Sequence, residues 1–158
     1  MSLDPPNDFP EKIALVHEWF SSNSFGGAEK VVCAVDELLT GWGSQPDLFS
    51  LVENVSTKPA SWLYKRQIKT SFIQKLPYGK NNVQKFLPFL PYAIEQIDLS
   101  EYPVVISSNH LVAKGVLTSP DQLHVSYIHT PVRYAWDQMN IYLKRSLLCR
   151  SGLGPLIR

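Results

Sequence analysis

Short apolar runs punctuate the chain, and the stretch between the first two repeats with the period of a helix. Ile13, Ala14, Leu15 and Val16 are continuously apolar, as expected of a strand covered on both faces of a parallel sheet. Ala28, Val31, Val32, Val35, Leu38 and Leu39 then recur at helical spacing over three turns. A turn at Trp42, Gly43, Ser44, Gln45 and Pro46 leads into a second strand over residues 47–52. Val104, Val105, Ile106 and Ser107 predict a third strand, and Val125, Ser126, Tyr127 and Ile128 a fourth. Pro131 suits the first turn of a further helix over about residues 132–148. Strands alternating with helices predict an α/β fold, a Rossmann-like doubly wound parallel sheet.

Ser24, Phe25, Gly26, Gly27, Ala28 and Glu29 join the first strand to the first helix. Two adjacent glycines let the backbone approach a ligand closely, and the first helical amides lack an intrahelical acceptor. Strand, glycine turn and helix together form an arrangement that commonly holds phosphate, so Gly26 and Gly27 are candidate phosphate-binding residues.

With 158 residues, 44% of them hydrophobic, the chain suffices for one full core. Residues 1–11 have neither the basic nor the apolar region of a signal peptide and are expected to be a disordered leader, with the domain proper over 12–158. Cys33 and Cys149 match no metal or redox spacing and read as free thiols of a reducing compartment. No apolar run reaches the roughly 18–20 residues needed to span a bilayer, so a cytoplasmic protein is expected.

A net charge of +1 hides an uneven distribution. Residues 54–94 contain no acid and seven bases: Lys58, Lys65, Arg66, Lys69, Lys75, Lys80 and Lys85. Trp62, Tyr64, Phe72, Tyr78, Phe86, Phe89 and Tyr92 are interleaved with them, and prolines at 77, 88 and 91 keep any helix there short. Lysines and aromatic rings together suit an anionic membrane surface, which makes the segment a candidate peripheral docking region on the inner membrane face.

Ligands of open α/β sheets bind beyond the carboxyl ends of the strands. The first strand runs into His17, Glu18 and Trp19, the third into Ser107, Ser108, Asn109 and His110, and the fourth into His129, Thr130, Pro131, Val132 and Arg133. Three of four histidines are thus expected at one edge of the sheet, whereas His124 precedes its strand and is expected at the opposite edge. No close His-x-His or His-x-x-x-His pair occurs, so no metal is expected.

These blocks together resemble the N-terminal half of a family 4 (group 1) glycosyltransferase of the GT-B fold. The opening from Lys12 to Trp19, the Gly26-Gly27-Ala28-Glu29-Lys30 turn, and the stretches over 105–115 and 127–137 carry the resemblance. The last two are the specific ones and are similar to a mannosyltransferase-like branch of polysaccharide assembly. The resemblance implies transfer of a hexose, with retention, from a GDP- or UDP-linked nucleotide sugar to a saccharide or lipid-linked acceptor, with no further cofactor. It implies that His129 contacts the transferred sugar near the reacting centre, as the catalytic residue. Gly26 and Gly27 would face the donor phosphates or the acceptor. His17, Glu18, Asn109, His110, Lys114 and Arg133 would line the acceptor side. The second, donor-binding domain of such enzymes, with its Arg/Lys pair and Glu-x7-Glu motif, has no counterpart in these residues. No transfer is therefore expected from this chain alone, and a homodimer through the exposed cleft face is expected.

Two readings from other classes stand beside this one. A nucleotide-binding domain of an oxidoreductase or epimerase would share the fold, but the first turn lacks Gly-x-Gly-x-x-Gly and no acid clearly closes the second strand. A non-catalytic module would use the basic segment on an anionic surface or a nucleic acid; the near-neutral total charge gives no sign of the latter, and no nucleic-acid partner is expected.

Overall fold

The computed structural model describes Asp4 and residues 9–21, 26–55 and 62–130. Five strands form one wholly parallel sheet: β1 (Ile13–Ser21), β2 (Asp47–Asn54), β3 (Ile68–Thr70), β4 (Val104–Asn109) and β5 (Leu123–Ile128). Their order is β3-β2-β1-β4-β5, so the chain starts at the centre, winds to one edge, and returns to the other side of β1. This is the Rossmann-like α/β arrangement that the hydrophobic pattern predicts, with β1 and β4 flanking the point where the winding reverses.

Alternate residues of β1 feed two cores. Ala14 and Val16 join Phe49, Leu51 and Val105 beneath helix α2 (Leu90–Glu95), where Leu90, Ala93 and Ile94 are buried. Leu15 joins Leu48 and Val32 beneath helix α1 (Gly27–Gly41). A sheet covered on both faces explains why the first strand is continuously apolar. Helix α1 buries Glu29, Val32, Asp36 and Leu39, whereas Leu38 is exposed. Its inward stripe therefore includes two carboxylates that an apolar periodicity cannot register.

Several boundaries differ from those the pattern predicts. β1 continues to Ser21, which takes His17, Glu18 and Trp19 into the strand instead of past its end. β4 likewise takes in Ser108 and Asn109, and β5 starts at Leu123, so His124 lies within a strand. The cause is common to all three: polar residues in a strand read as its end, yet here they find hydrogen-bond partners inside the sheet. β3 is an added strand of three residues, too short and too polar to show periodicity. Phe9 sets its ring on Trp42 with centroids 5.0 Å apart, and Ser44 donates to the Glu11 carbonyl. Residues 1–3 and 5–8 of the expected leader, the helix expected after Pro131, and Arg133, Lys58 and Cys149 lie outside the described residues.

The basic segment is partly consumed by the fold. Arg66 reaches back 30 residues to Asp36 at 2.8 Å and to the Pro46 carbonyl at 2.6 Å, locking the loop before β3 to α1 and to the turn before β2. Lys69 bonds Asp47 and the Tyr102 hydroxyl, which itself donates a short hydrogen bond to Asp47. Lys80 pairs with Glu53 at 3.4 Å. No helix among the described residues is long and apolar enough to cross a membrane.

Candidate functional site at the carboxyl edge of β1 and β4

Glu18 organises this edge. Its side chain is fully buried, and its carboxylate accepts from the backbone amides of His110, Leu111, Val112 and Ala113 at 2.7–3.2 Å. Successive amides turned toward one point make a concave anion site, the kind that elsewhere takes a phosphate. Here the chain fills it with its own carboxylate. The same group accepts from His110 Nδ1 at 2.7 Å. Burial alone would raise the Glu18 pKa, but the hydrogen bond and charge of His110, with the amides of Leu111 and Ala113, bring it down to about 2. The Glu18 hydrogen bond in turn raises the His110 pKa against the effect of burial, with the charges of Glu18 and Glu29 acting in the same direction. Glu18 and His110 thus each favour the charged form of the other. Nδ1 is committed to Glu18, so Nε2–H is the His110 group left for a ligand, and the side chain is 26% exposed.

His17 and His129 meet on Ser108. The Ser108 carbonyl can only accept, so His17 donates through Nδ1 at 3.0 Å, which fixes the tautomer of the neutral ring. His129 Nε2 lies 2.8 Å from the Ser108 hydroxyl. Burial lowers both histidine pKa values, outweighing the charges of Glu18 and Glu29 that would raise them. One imidazole that favours its charged form, that of His110, therefore stands with two that favour the neutral form. Trp19 packs edge-on against His110 with ring centroids 4.8 Å apart.

Helix α1 begins at the same edge. Gly26 precedes its first turn, and the Gly26 amide donates to Glu29 Oε2 at 2.9 Å. The charge of Glu29 acts on His17, His110 and His129 in the same direction, raising each pKa. An anion approaching Gly26 and Gly27 would meet this negative charge, so the turn is less open to a bare phosphate than its glycines alone suggest. The Gly-x-x-Glu spacing, typical of a helix start, is the signal that could have revealed Glu29.

A second polar row runs between β4 and β5. Ser107 Oγ contacts His124 Nε2 at 2.9 Å and donates to Ser126 Oγ at 3.0 Å, and Asn109 Nδ2 donates to Ser126 Oγ at 3.1 Å. His124 is thus tied to Asn109 through two serines, not isolated at the far edge as its position before a strand predicts. Asn109 Oδ1 is buried without a partner among the described residues.

The histidines expected to converge do so, but not all of the named residues reach a surface. His17, Glu18 and Asn109 are buried within the sheet, because the strands are longer than their apolar runs. His110, His129, Lys114, Gly26 and Gly27 remain accessible. Ser108 and Glu29 join the cluster without having been singled out. Among the described residues no group of three histidine, cysteine or acidic side chains is arranged to hold a metal ion. No protein-family model matches the chain, and neither curated proteins nor solved structures give a match.

Proposed function

We propose that this chain is the acceptor-side domain of a retaining GT-B glycosyltransferase, which moves a hexose from a GDP- or UDP-linked sugar to a saccharide or lipid-linked acceptor. The observation that carries this reading is the Glu18–His110 pair at the carboxyl edge of β1 and β4, with His129 held on the neighbouring Ser108. The charge of the edge favours a hydroxyl-bearing ligand: the carboxylates Glu18 and Glu29 both act on His110, a poor setting for a bare diphosphate. His110 Nε2–H would donate to an acceptor oxygen, and Lys114 would add a second donor. His129, held by Ser108, would lie against the transferred sugar. Glu18 is a positioning residue, since both its oxygens are enclosed and it acts through His110.

The oxidoreductase or epimerase reading loses ground on one point. An acid does close β2, Glu53, but its carboxylate accepts from Gln74, Lys80 and the Val55 amide. It is not free to hold a ribose.

The imidazole NMR signals of His110 and His129 test the proposal during titration with an oligomannoside, GDP-mannose, UDP-glucose and NAD. Saccharide-dependent shifts of both rings, abolished by His110→Ala, are expected. Shifts with NAD alone, or none with any saccharide or nucleotide sugar, would remove the reading.

A further inference from the structure

The residues between β3 and the end of α2 form a ridge of short turns, and its outer surface is unlike the rest of the basic segment. Two 3₁₀ turns, Phe72–Lys75 and Val83–Phe89, lead directly into α2. Ile73, Val83, Leu90, Ala93 and Ile94 anchor this ridge in the core, while large rings point away from it. Tyr78 is 74% exposed, Phe89 and Tyr92 58% each, and Phe72 40%.

These rings fall in two groups along the ridge. Phe72 and Tyr92 are in contact, with centroids 6.0 Å apart, and Phe89 precedes Tyr92 by three residues across the start of α2, one helical turn. Lys85 Nζ lies 5.7 Å from the centre of the Tyr78 ring. Tyr78 adopts a left-handed backbone with φ of 63°, a conformation that is strained for a non-glycine residue. Next to it, Gly79 packs so closely on the Ile73 carbonyl that a side chain there would collide with it. The turn is therefore held in a strained form that leaves its tyrosine outermost.

Between residues 72 and 92 every charged side chain is a lysine, and the exposed acids Glu95 and Asp98 follow at the end of α2 and just past it. Residues 54–94 contain no acid. Lys80 is matched by Glu53, but Lys75 and Lys85 are exposed and have no carboxylate partner among the described residues. A second copy of this surface would bring like charges together, and an apolar partner would leave the lysines desolvated. Exposed aromatic rings flanked by unmatched lysines instead fit the headgroup zone of an anionic bilayer, where rings settle at the interface and nearby lysines add electrostatic attraction.

We infer that the ridge over residues 72–92 docks this domain on an anionic lipid surface, through Phe72, Tyr78, Phe89 and Tyr92 with Lys75 and Lys85. The inference stands on the geometry of the ridge and does not depend on glycosyl transfer. It also divides the basic segment: Arg66 and Lys69 serve the fold, and the ridge meets the membrane.

Co-sedimentation of the full chain with vesicles tests it, using phosphatidylcholine alone and phosphatidylcholine with phosphatidylglycerol, each at low and high salt. Binding to the anionic vesicles is expected, weakening with salt and falling at least tenfold in the Lys75→Glu/Lys85→Glu and Phe89→Ser/Tyr92→Ser variants. Lys65→Glu, outside the ridge, should bind within twofold of the unmodified chain. Matching thermal melts would establish that the ridge variants fold, as expected for exposed positions. Equal binding to both vesicle types, no binding, ridge variants that bind normally, or self-association through the ridge without vesicle binding would each overturn the inference.

Discussion

The edge of β1 and β4 and the segment joining β2 to β4 both concentrate ionisable residues, but the sheet treats them in opposite ways. At the edge, the charge of Glu18 is enclosed, satisfied by four amides, and delivered to the surface through one ring. In the joining segment, Arg66 is drawn inward to Asp36, Lys69 and Lys80 take partners near the surface, and Lys75 and Lys85 stay outside. The difference is one of position. A residue in a central strand is surrounded by protein and must be paired, whereas a lysine on a turn keeps its water. A buried carboxylate can therefore set the charge and direction of a neighbouring imidazole, and an exposed lysine can only add to a field.

Removing the buried acid should break the first half of this comparison most severely. Glu18→Ala leaves four amides and the His110 imidazole without their acceptor, and loss of one partner of a buried pair costs about 3–5 kcal/mol. Urea or thermal denaturation of the variant measures this directly. A loss below about 1 kcal/mol would mean that the amides find other acceptors and that Glu18 does not organise the edge.

Acid and base should act on the same edge in separable windows. The folded pKa of Glu18, about 2, lies below its ordinary value of 4.5, so its stabilisation is present above pH 4.5 and is lost as pH falls toward 2. Burial lowers the His17 pKa, so that ring favours the fold fully above pH 6.5 and progressively less as pH falls below it. His110 has the opposite sign: its raised pKa stabilises below pH 6.5, and the contribution disappears as pH rises through the folded value. NMR titration should place His110 above 6.5 and His17 and His129 below it. Glu18→Gln should return His110 toward or below 6.5 and remove the alkaline part of the stability profile. An unchanged His110 titration in that variant would break the link between the two residues.

How much of this was legible in the chain depends on what each residue does after folding. The apolar run over residues 13–16 and the spacing of Val32 and Leu39 mark β1 and α1, because burial of those side chains shapes the sequence there. The convergence of His17, His110 and His129 also follows from the strand pattern, since parallel strands bring their carboxyl ends to one edge. The burial of His17, Glu18 and Asn109 does not follow. Their partners are 91–95 residues away for the first two, and a polar residue after an apolar run looks the same whether it ends a strand or is satisfied inside one. Asp36 is hidden for the same reason, because only the fold brings Arg66 to it. The aromatic and basic composition of residues 54–94 was plain, but which lysines are consumed was not, because the acids that take them lie outside the segment.

The smallest effect sharpens the second half of the comparison. The Lys80–Glu53 pair is 3.4 Å long, the lysine side chain is 46% exposed, and Glu53 keeps Gln74 and the Val55 amide whatever happens to the lysine. An exposed pair of this kind contributes about 0–1 kcal/mol, and salt screens it further. Lys80→Ala should therefore shift stability by no more than about 0.5 kcal/mol at moderate salt, read from denaturation midpoints at two salt concentrations. A larger, salt-independent loss would show that the turn around Gly79 relies on this lysine. The joining segment would then depend on its charges as the β1–β4 edge depends on Glu18, and the contrast between the two regions would fail.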